Sequence, residues 1–340
     1  MKKTLLTICL VWMCFSLSAQ KIIDLSGKWS FSIDRQDNGE KEKWFSHTLN
    51  DCINLPGSMP EKLKGDEVTA KTQWTGSLYD SSYYYNPYME KYRKEGNIKF
   101  PFFLTPDKHY VGAAWYQKEV NIPADWKGER ILLFLERPHI ETTVWVNGQK
   151  TGMQNSLCVP HQYDITHYVR PGKCTITIRV DNRIKEINVG PDSHSITDQT
   201  QGNWNGIVGR ICLQTTPKTY FDDIQIYPEP EQKLARVKVV IKGTGTAKVK
   251  LSAESFNTDK KHIVPAIQQE IKLNKGVTET EMVLPMGNDM LLWDEFHPAL
   301  YKLKAEVTNG KKTEIKEIQF GMRRFEIKGK WFYVNGRKTQ

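Results

Sequence analysis

Long apolar runs, paired cysteines and phosphate-binding glycine loops are all scarce in this chain of 340 residues. Past the N-terminus no stretch is long and apolar enough for a membrane-spanning helix, which needs about 20 such residues. The one marked apolar run, residues 5–17, follows Lys2 and Lys3, and small Ser16, Ser18 and Ala19 offer a cleavage site before Gln20. That is the pattern of an export signal, residues 1–19, and predicts a periplasmic or extracellular protein. Bulky Trp12 and Met13 before Cys14 argue against lipidation. Of 6 Cys, Cys9 and Cys14 leave with the signal. Cys52, Cys158, Cys174 and Cys212 lack the short paired spacings of a zinc site and are expected as buried free thiols. The 8 His, among them His161, His167 and His194, form no HExxH and no regular metal spacing, so neither metal nor cofactor is expected. Convincing long amphipathic helices are missing too.

What is present is aromatic and strand-like. The chain carries 10 Trp, 14 Tyr and 13 Phe, residues that suit pleated, half-buried surfaces. Its formal net charge of +9 falls to +7 once Lys2 and Lys3 are removed. The basic residues alternate with apolar ones and make no compact block, which argues against a nucleic-acid groove. Residues 131–135 read as a buried strand. Residues 143–146 lead into Asn147-Gly148, a pair that reaches the positive φ of a tight hairpin. Ile176, Ile178 and Val180 alternate along one strand face after the Pro171-Gly172 turn. Short strands at this spacing indicate β-sandwiches.

A boundary is expected near Thr215-Thr216-Pro217, giving a first domain over 20–218 and a second over 219–320. In the second, residues 237–241 and 247–251 read as strands around a turn at Gly243 and Gly245. Segments near 271–273, 282–284, 303–307 and 315–320 bring the count toward the seven of an immunoglobulin-like domain. A third segment, 321–340, carries a strand at 331–334 and then Asn335-Gly336, so a hairpin begins whose return strand is expected to be missing.

Five stretches, in order, resemble the N-terminal half of glycoside hydrolase family 2, which includes β-galactosidases, β-glucuronidases and β-mannosidases. Tyr110-Val111-Gly112-Ala113-Ala114-Trp115-Tyr116 resembles the strand opening the family's jelly-roll core. Val144-Trp145-Val146-Asn147-Gly148 resembles its hairpin, followed by Tyr163-Asp164-Ile165-Thr166 and Val180-Asp181-Asn182. Trp204-Asn205-Gly206-Ile207-Val208-Gly209-Arg210 is similar to the segment closing that domain. Leu292-Trp293 with Pro298, Leu300 and Tyr301 matches the immunoglobulin-like domain, and Phe320-Gly321-Met322-Arg323 with Phe332-Tyr333-Val334-Asn335-Gly336 the bridge to the barrel. The resemblance implies an all-β chain: a galactose-binding-like jelly roll, an immunoglobulin-like sandwich, then the start of a (β/α)8 barrel that the chain lacks. Most residues carrying it are read as scaffold: Trp115, Tyr116, Trp145 and Trp293 as core, Gly321 and Arg323 as an interdomain corner.

The family cleaves glycosidic bonds with retention, which needs two carboxylates about 5 Å apart. The resemblance places both in the barrel, at the C-terminal ends of strands. No catalytic residue is therefore assigned within this chain, which should hydrolyse nothing alone. Asp222-Asp223 and Asp294-Glu295 are poor pairs, because neighbours on a strand point to opposite faces.

In family members a loop before the Gly-Ile segment reaches the active site and touches the terminal sugar, often through an acid. Counting back from Gly206 places that position at Thr200, a departure from the acid of β-galactosidases and β-glucuronidases. Thr200, Gln201, Asn203 and Trp204 are the candidate substrate-binding residues, with Asp198 beside them; hydroxyl hydrogen bonds and ring stacking are the expected roles for Asn203 and Trp204. A polar loop packed against the missing barrel is the competing reading. The aromatic insertion over 72–106, with Trp74, Tyr79, Tyr83, Tyr84, Tyr85, Tyr88 and Tyr92, is expected to pack over a sandwich edge rather than form a rim for an oligosaccharide. The implied partners are a carbohydrate substrate and the chain's own barrel, with homo-oligomerisation left open. The alternatives are a free-standing carbohydrate-binding or adhesive sandwich protein and a dimerisation module.

Overall fold

The computed structural model describes residues 21–75, 81–99, 105–185, 198 and 202–339. Two compact units divide between Thr215 and Thr216. In the first, an antiparallel six-stranded sheet runs in the order Gln149–Asn155, Glu141–Val146, Gly172–Asp181, Ala113–Ile122, Gly27–Asp34, Asp51–Leu55. A second sheet comprises Ile22–Asp24, Ile211–Thr216, Arg130–Leu135 and His161–Asp164. One core joins their facing sides: Phe31, Tyr116, Val144, Ile176, Ile178 and Val180 from the larger sheet, Leu133, Leu135, Tyr163 and Leu213 from the smaller. This is the expected jelly-roll sandwich.

The outer face of the larger sheet is also covered. Trp115 and Trp145, pointing away from the main core, pack with Leu49, Trp44 and Phe45 of the loop that follows Asp34. Asp34 fixes that loop by accepting from Trp115 Nε1 at 2.9 Å and from the Gly39 N–H at 2.9 Å. Burial on both faces explains why Ala113, Ala114, Trp115 and Tyr116 are consecutively buried, where a one-sided sheet would alternate. The hairpin at Asn147-Gly148 forms as read, with φ of 50° and 78°.

The second unit departs from seven short strands. Leu234–Phe256 and Ile263–Pro285 are each single strands of 23 residues, paired almost throughout. Their register shifts between Gly243 and Gly245, so these glycines sit in a bulge and not in a turn between separate strands. Before the bulge Leu234–Phe256 pairs with Tyr220–Glu229; after it, with Leu300–Asn309, which pairs with Lys312–Phe320. Val237, Val239 and Ile241 from one half share a core with Val249, Leu251, Tyr301 and Leu303 from the other. The hydrogen-bonded ladder therefore folds over on itself, giving two layers from five strands.

The C-terminal segment is a three-stranded antiparallel sheet of Phe325–Lys328, Trp331–Val334 and Arg337–Thr339. The expected absence of a return strand is corrected: Arg337–Thr339 supplies it after the Asn335-Gly336 turn. Asn335 anchors this sheet by donating to the Trp293 carbonyl at 2.9 Å. Trp293 itself is half-buried rather than core; the Arg323 guanidinium lies 4.4 Å from its ring centre, and Gly321 leaves room for it. Gly321 and Arg323 thus fix a corner inside the second unit.

Cys174 and Cys212 are buried free thiols, whereas Cys52 and Cys158 are free and exposed, against expectation. Cys52 sits near the start of an edge strand, where alternate residues face solvent. In the insertion, Tyr83 is buried and donates to the Tyr92 carbonyl at 2.7 Å, and Trp74 meets the His109 ring edge-on. Tyr85 and Tyr88 point outward, 77% and 85% exposed, so packing accounts for only part of this cluster. Tyr79 lies outside the described residues. Among the described residues no helix is long and apolar enough to cross a membrane.

Candidate functional site

Burial alternates along Asn203, Trp204 and Asn205. The two asparagines are inside, 5% and 0% exposed, and Trp204 between them is half-buried. Successive side chains of extended backbone point to opposite sides, so locking both asparagines inward turns Trp204 outward.

The lock is a continuous polar network. Asn203 donates both amide protons, to Thr75 Oγ1 at 2.9 Å and the Asn182 carbonyl at 3.0 Å, and accepts from Asn182 Nδ2 at 3.1 Å. Asn182 also donates to the Tyr110 carbonyl and accepts the Gly112 N–H, each at 2.8 Å. Asn205 donates to the Gly112 and Val180 carbonyls, each at 2.9 Å, and accepts from the Tyr116 hydroxyl at 2.7 Å. Buried polar groups so completely paired rigidify the backbone that bears them.

Asp198 holds the other side of the loop. Its carboxylate accepts the Thr75 and Asn203 N–H groups, each at 2.6 Å, and His109 Nε2 stands 3.5 Å away. Burial alone would raise its pKa; the His109 imidazole and the two N–H groups outweigh that and hold it below the usual carboxylate value. This acid faces inward and is committed to the protein.

After Asn205 the chain enters a small ribbon in which Gly206–Ile207 pairs with Gly57–Ser58 on one side and Pro138–His139 on the other. Gly206 has φ of +143°, and a Cβ there would meet the Gly57 carbonyl oxygen at 2.5 Å. Only glycine permits this approach. His139, opposite Gly206, stacks on the Trp204 indole with ring centres 4.4 Å apart and 23° between planes. Its Nδ1–H donates to the Trp204 carbonyl at 2.7 Å. Burial lowers the imidazole's pKa, and the bond to that carbonyl offsets this only in part, so it is neutral near pH 7.

Of the four candidate residues, Asn203 and Trp204 are brought together with Asp198; Thr200 and Gln201 lie outside the described residues. Both Asn203 amide protons are committed to protein acceptors, and its Oδ1 already accepts from Asn182, so within this chain the side chain acts as an anchor of the loop. Trp204 is half-buried, with its indole stacked on His139. Sequence reasoning missed Asn182, Asn205 and His139; the alternation in Asn203-Trp204-Asn205 was the available signal for the second. Asp222 pairs with Lys242 at the surface, Asp294 accepts the Phe296 and His297 N–H groups, and Glu295 pairs with Arg337, so each of these acids has a structural partner. Among the described residues no group of three or more His, Cys, Asp or Glu could hold a metal ion.

A jelly roll whose polar loop is braced from within, followed by an immunoglobulin-like sandwich, makes this a tandem β-sandwich protein. The family model "Glycosyl hydrolases family 2, sugar binding domain" matches residues 22–217, and the model "Glycosyl hydrolases family 2" matches residues 219–323. The chain belongs to glycosyl hydrolase family 2. It is similar to a β-glucuronidase of Paenibacillus borealis, 24% identical over 94% of this chain and 48% of that protein. It is also similar to a β-galactosidase large subunit of Latilactobacillus sakei, 23% identical over 92% of this chain and 48% of that one. A solved β-glucuronidase of Ruminococcus gnavus shares the fold, with TM-score 0.61 and 19% identity over 94% of this chain and 47% of that one. The chain spans about half the length of the relatives it matches.

Proposed function

We propose that this chain is the N-terminal, non-catalytic part of an exported family 2 glycoside hydrolase that removes terminal sugars with retention of configuration. The observation that carries the reading is the ordered match of both family domains over a chain half as long as its enzyme relatives. The two carboxylates of a retaining mechanism, about 5 Å apart, then belong to a barrel beyond residue 340. Export is supported by the basic, apolar and small-residue order of residues 1–19.

In this reading the jelly roll contributes one wall of the sugar site through the loop of Thr200, Gln201, Asn203 and Trp204. Trp204 offers an indole face to the apolar side of a pyranose, and Asn203 holds that part of the loop in place. Asp198, turned inward, adds no charge to the wall.

The test is expression of the gene region extending past codon 340, assayed on aryl β-glucuronides, β-galactosides and β-mannosides beside residues 21–340 alone. Turnover is expected from the longer product only. A longer product that binds glycans and cleaves none would favour a free-standing binding protein, and turnover by residues 21–340 would also sink the proposal.

A further inference from the structure

We infer that His139 is a positioning residue, which clamps the Trp204 indole as a preformed platform for a sugar ring. The inference rests on the reading of Trp204 as part of the sugar site. Two contacts reach Trp204 from one imidazole: the ring stacks on the indole at 4.4 Å, and Nδ1–H binds the carbonyl of the same residue at 2.7 Å. One contact fixes the side chain and the other the backbone from which it springs, so the rotation about the Trp204 side-chain bonds is restricted.

His139 is itself well fixed. It is paired in register with Gly206, which is pressed against Gly57. Its burial keeps the ring neutral near pH 7, so Nδ1 holds the proton and Nε2 the lone pair. Asn203 and Asn205 hold the backbone on either side of Trp204 through bonds to other strands. With the backbone already held, the distinctive contribution of His139 is to the indole. A side chain ordered before binding loses little rotamer freedom when a ligand arrives, and releasing the clamp restores that loss.

His139→Gln, which keeps a donor and removes the ring, should raise KM for an aryl glycoside roughly 3- to 10-fold with kcat nearly unchanged, the size of one newly mobile side chain. His139→Phe, which keeps the ring, should retain most of the affinity and also serves if the Gln variant folds poorly. In a Trp204→Ala background, His139→Gln should change KM no further. A parallel readout on residues 21–340 is the Trp204 indole N–H resonance, assigned by its loss in Trp204→Phe. It should be a single line that shifts with added D-glucuronate, D-galactose or D-mannose, and should broaden or split in His139→Gln. An unchanged line and KM in His139→Gln, or an effect that persists fully without Trp204, overturns the clamp alone. A Trp204→Ala variant with native kinetics, and an indole line that no sugar moves, removes the sugar-site reading and with it the clamp's function.

Discussion

Asn205→Ala is the sharpest test of the polar network beneath the loop. The native amide is fully buried, donates to the Gly112 and Val180 carbonyls and accepts from the Tyr116 hydroxyl. Truncation leaves that hydroxyl without an acceptor among apolar neighbours, at a cost of about 1–3 kcal/mol, and removes one donor from each of two carbonyls at about 0.5–1.5 kcal/mol apiece. Relief from burying the amide itself offsets part of the sum, so a loss of about 3 kcal/mol is expected. For a unit of this size that lowers the melting midpoint by roughly 6–12 °C. Urea and thermal unfolding of the first unit, followed by tryptophan fluorescence and circular dichroism, measure it. The double variant Tyr116→Phe with Asn205→Ala removes the orphaned hydroxyl, and should be more stable than the sum of the single changes predicts, by about 1 kcal/mol or more. A cost under about 1 kcal/mol for Asn205→Ala, or strict additivity in the double variant, would refute the reasoning.

Two further outcomes follow from the same unit. Asp181 is fully buried against Arg179, Arg183 and Lys185, and their hydrogen bonds and charges overcome its desolvation, holding its carboxyl far below the usual carboxylate range. A depressed folded pKa stabilises the protein above the unfolded value and loses that contribution as pH falls. Asp181→Asn should therefore lower stability at neutral pH and flatten its decline between about pH 4 and pH 2 in acid titration melts; an unchanged acid limb would count against the network. Gly206→Ala must place a Cβ 2.5 Å from the Gly57 oxygen at an unfavourable φ. A cost of about 2–4 kcal/mol is expected from thermal melts, and a native midpoint would show that the ribbon yields easily.

The architecture was legible because it depends on local rules. Alternating Ile176, Ile178 and Val180 all reach the core, and Asn147-Gly148 turns where its backbone freedom allows. The long strands were not legible, because a glycine in a bulge and a glycine in a turn look alike until the partner register is known. The return strand Arg337–Thr339 escaped for a related reason: its residues carry no alternation, and it is defined by pairing with Trp331–Val334. Trp204 could be singled out as an aromatic in the loop that the family resemblance marks. The roles of Asn182 and His139 could not, since each bonds to this segment across more than 20 residues of sequence. The bonds of Asn203 to Thr75 and Asn182 were equally hidden, because they too are set by pairing across the fold.

The doubled-over ladder of the second unit has a consequence for how that unit comes apart. Its two longest strands pass through both layers, so neither layer can peel away as an independent leaf without tearing the other. Hydrogen exchange there should report one shared opening event for amides on opposite sides of the fold, a behaviour that sandwiches assembled from separate sheets have no covalent reason to show.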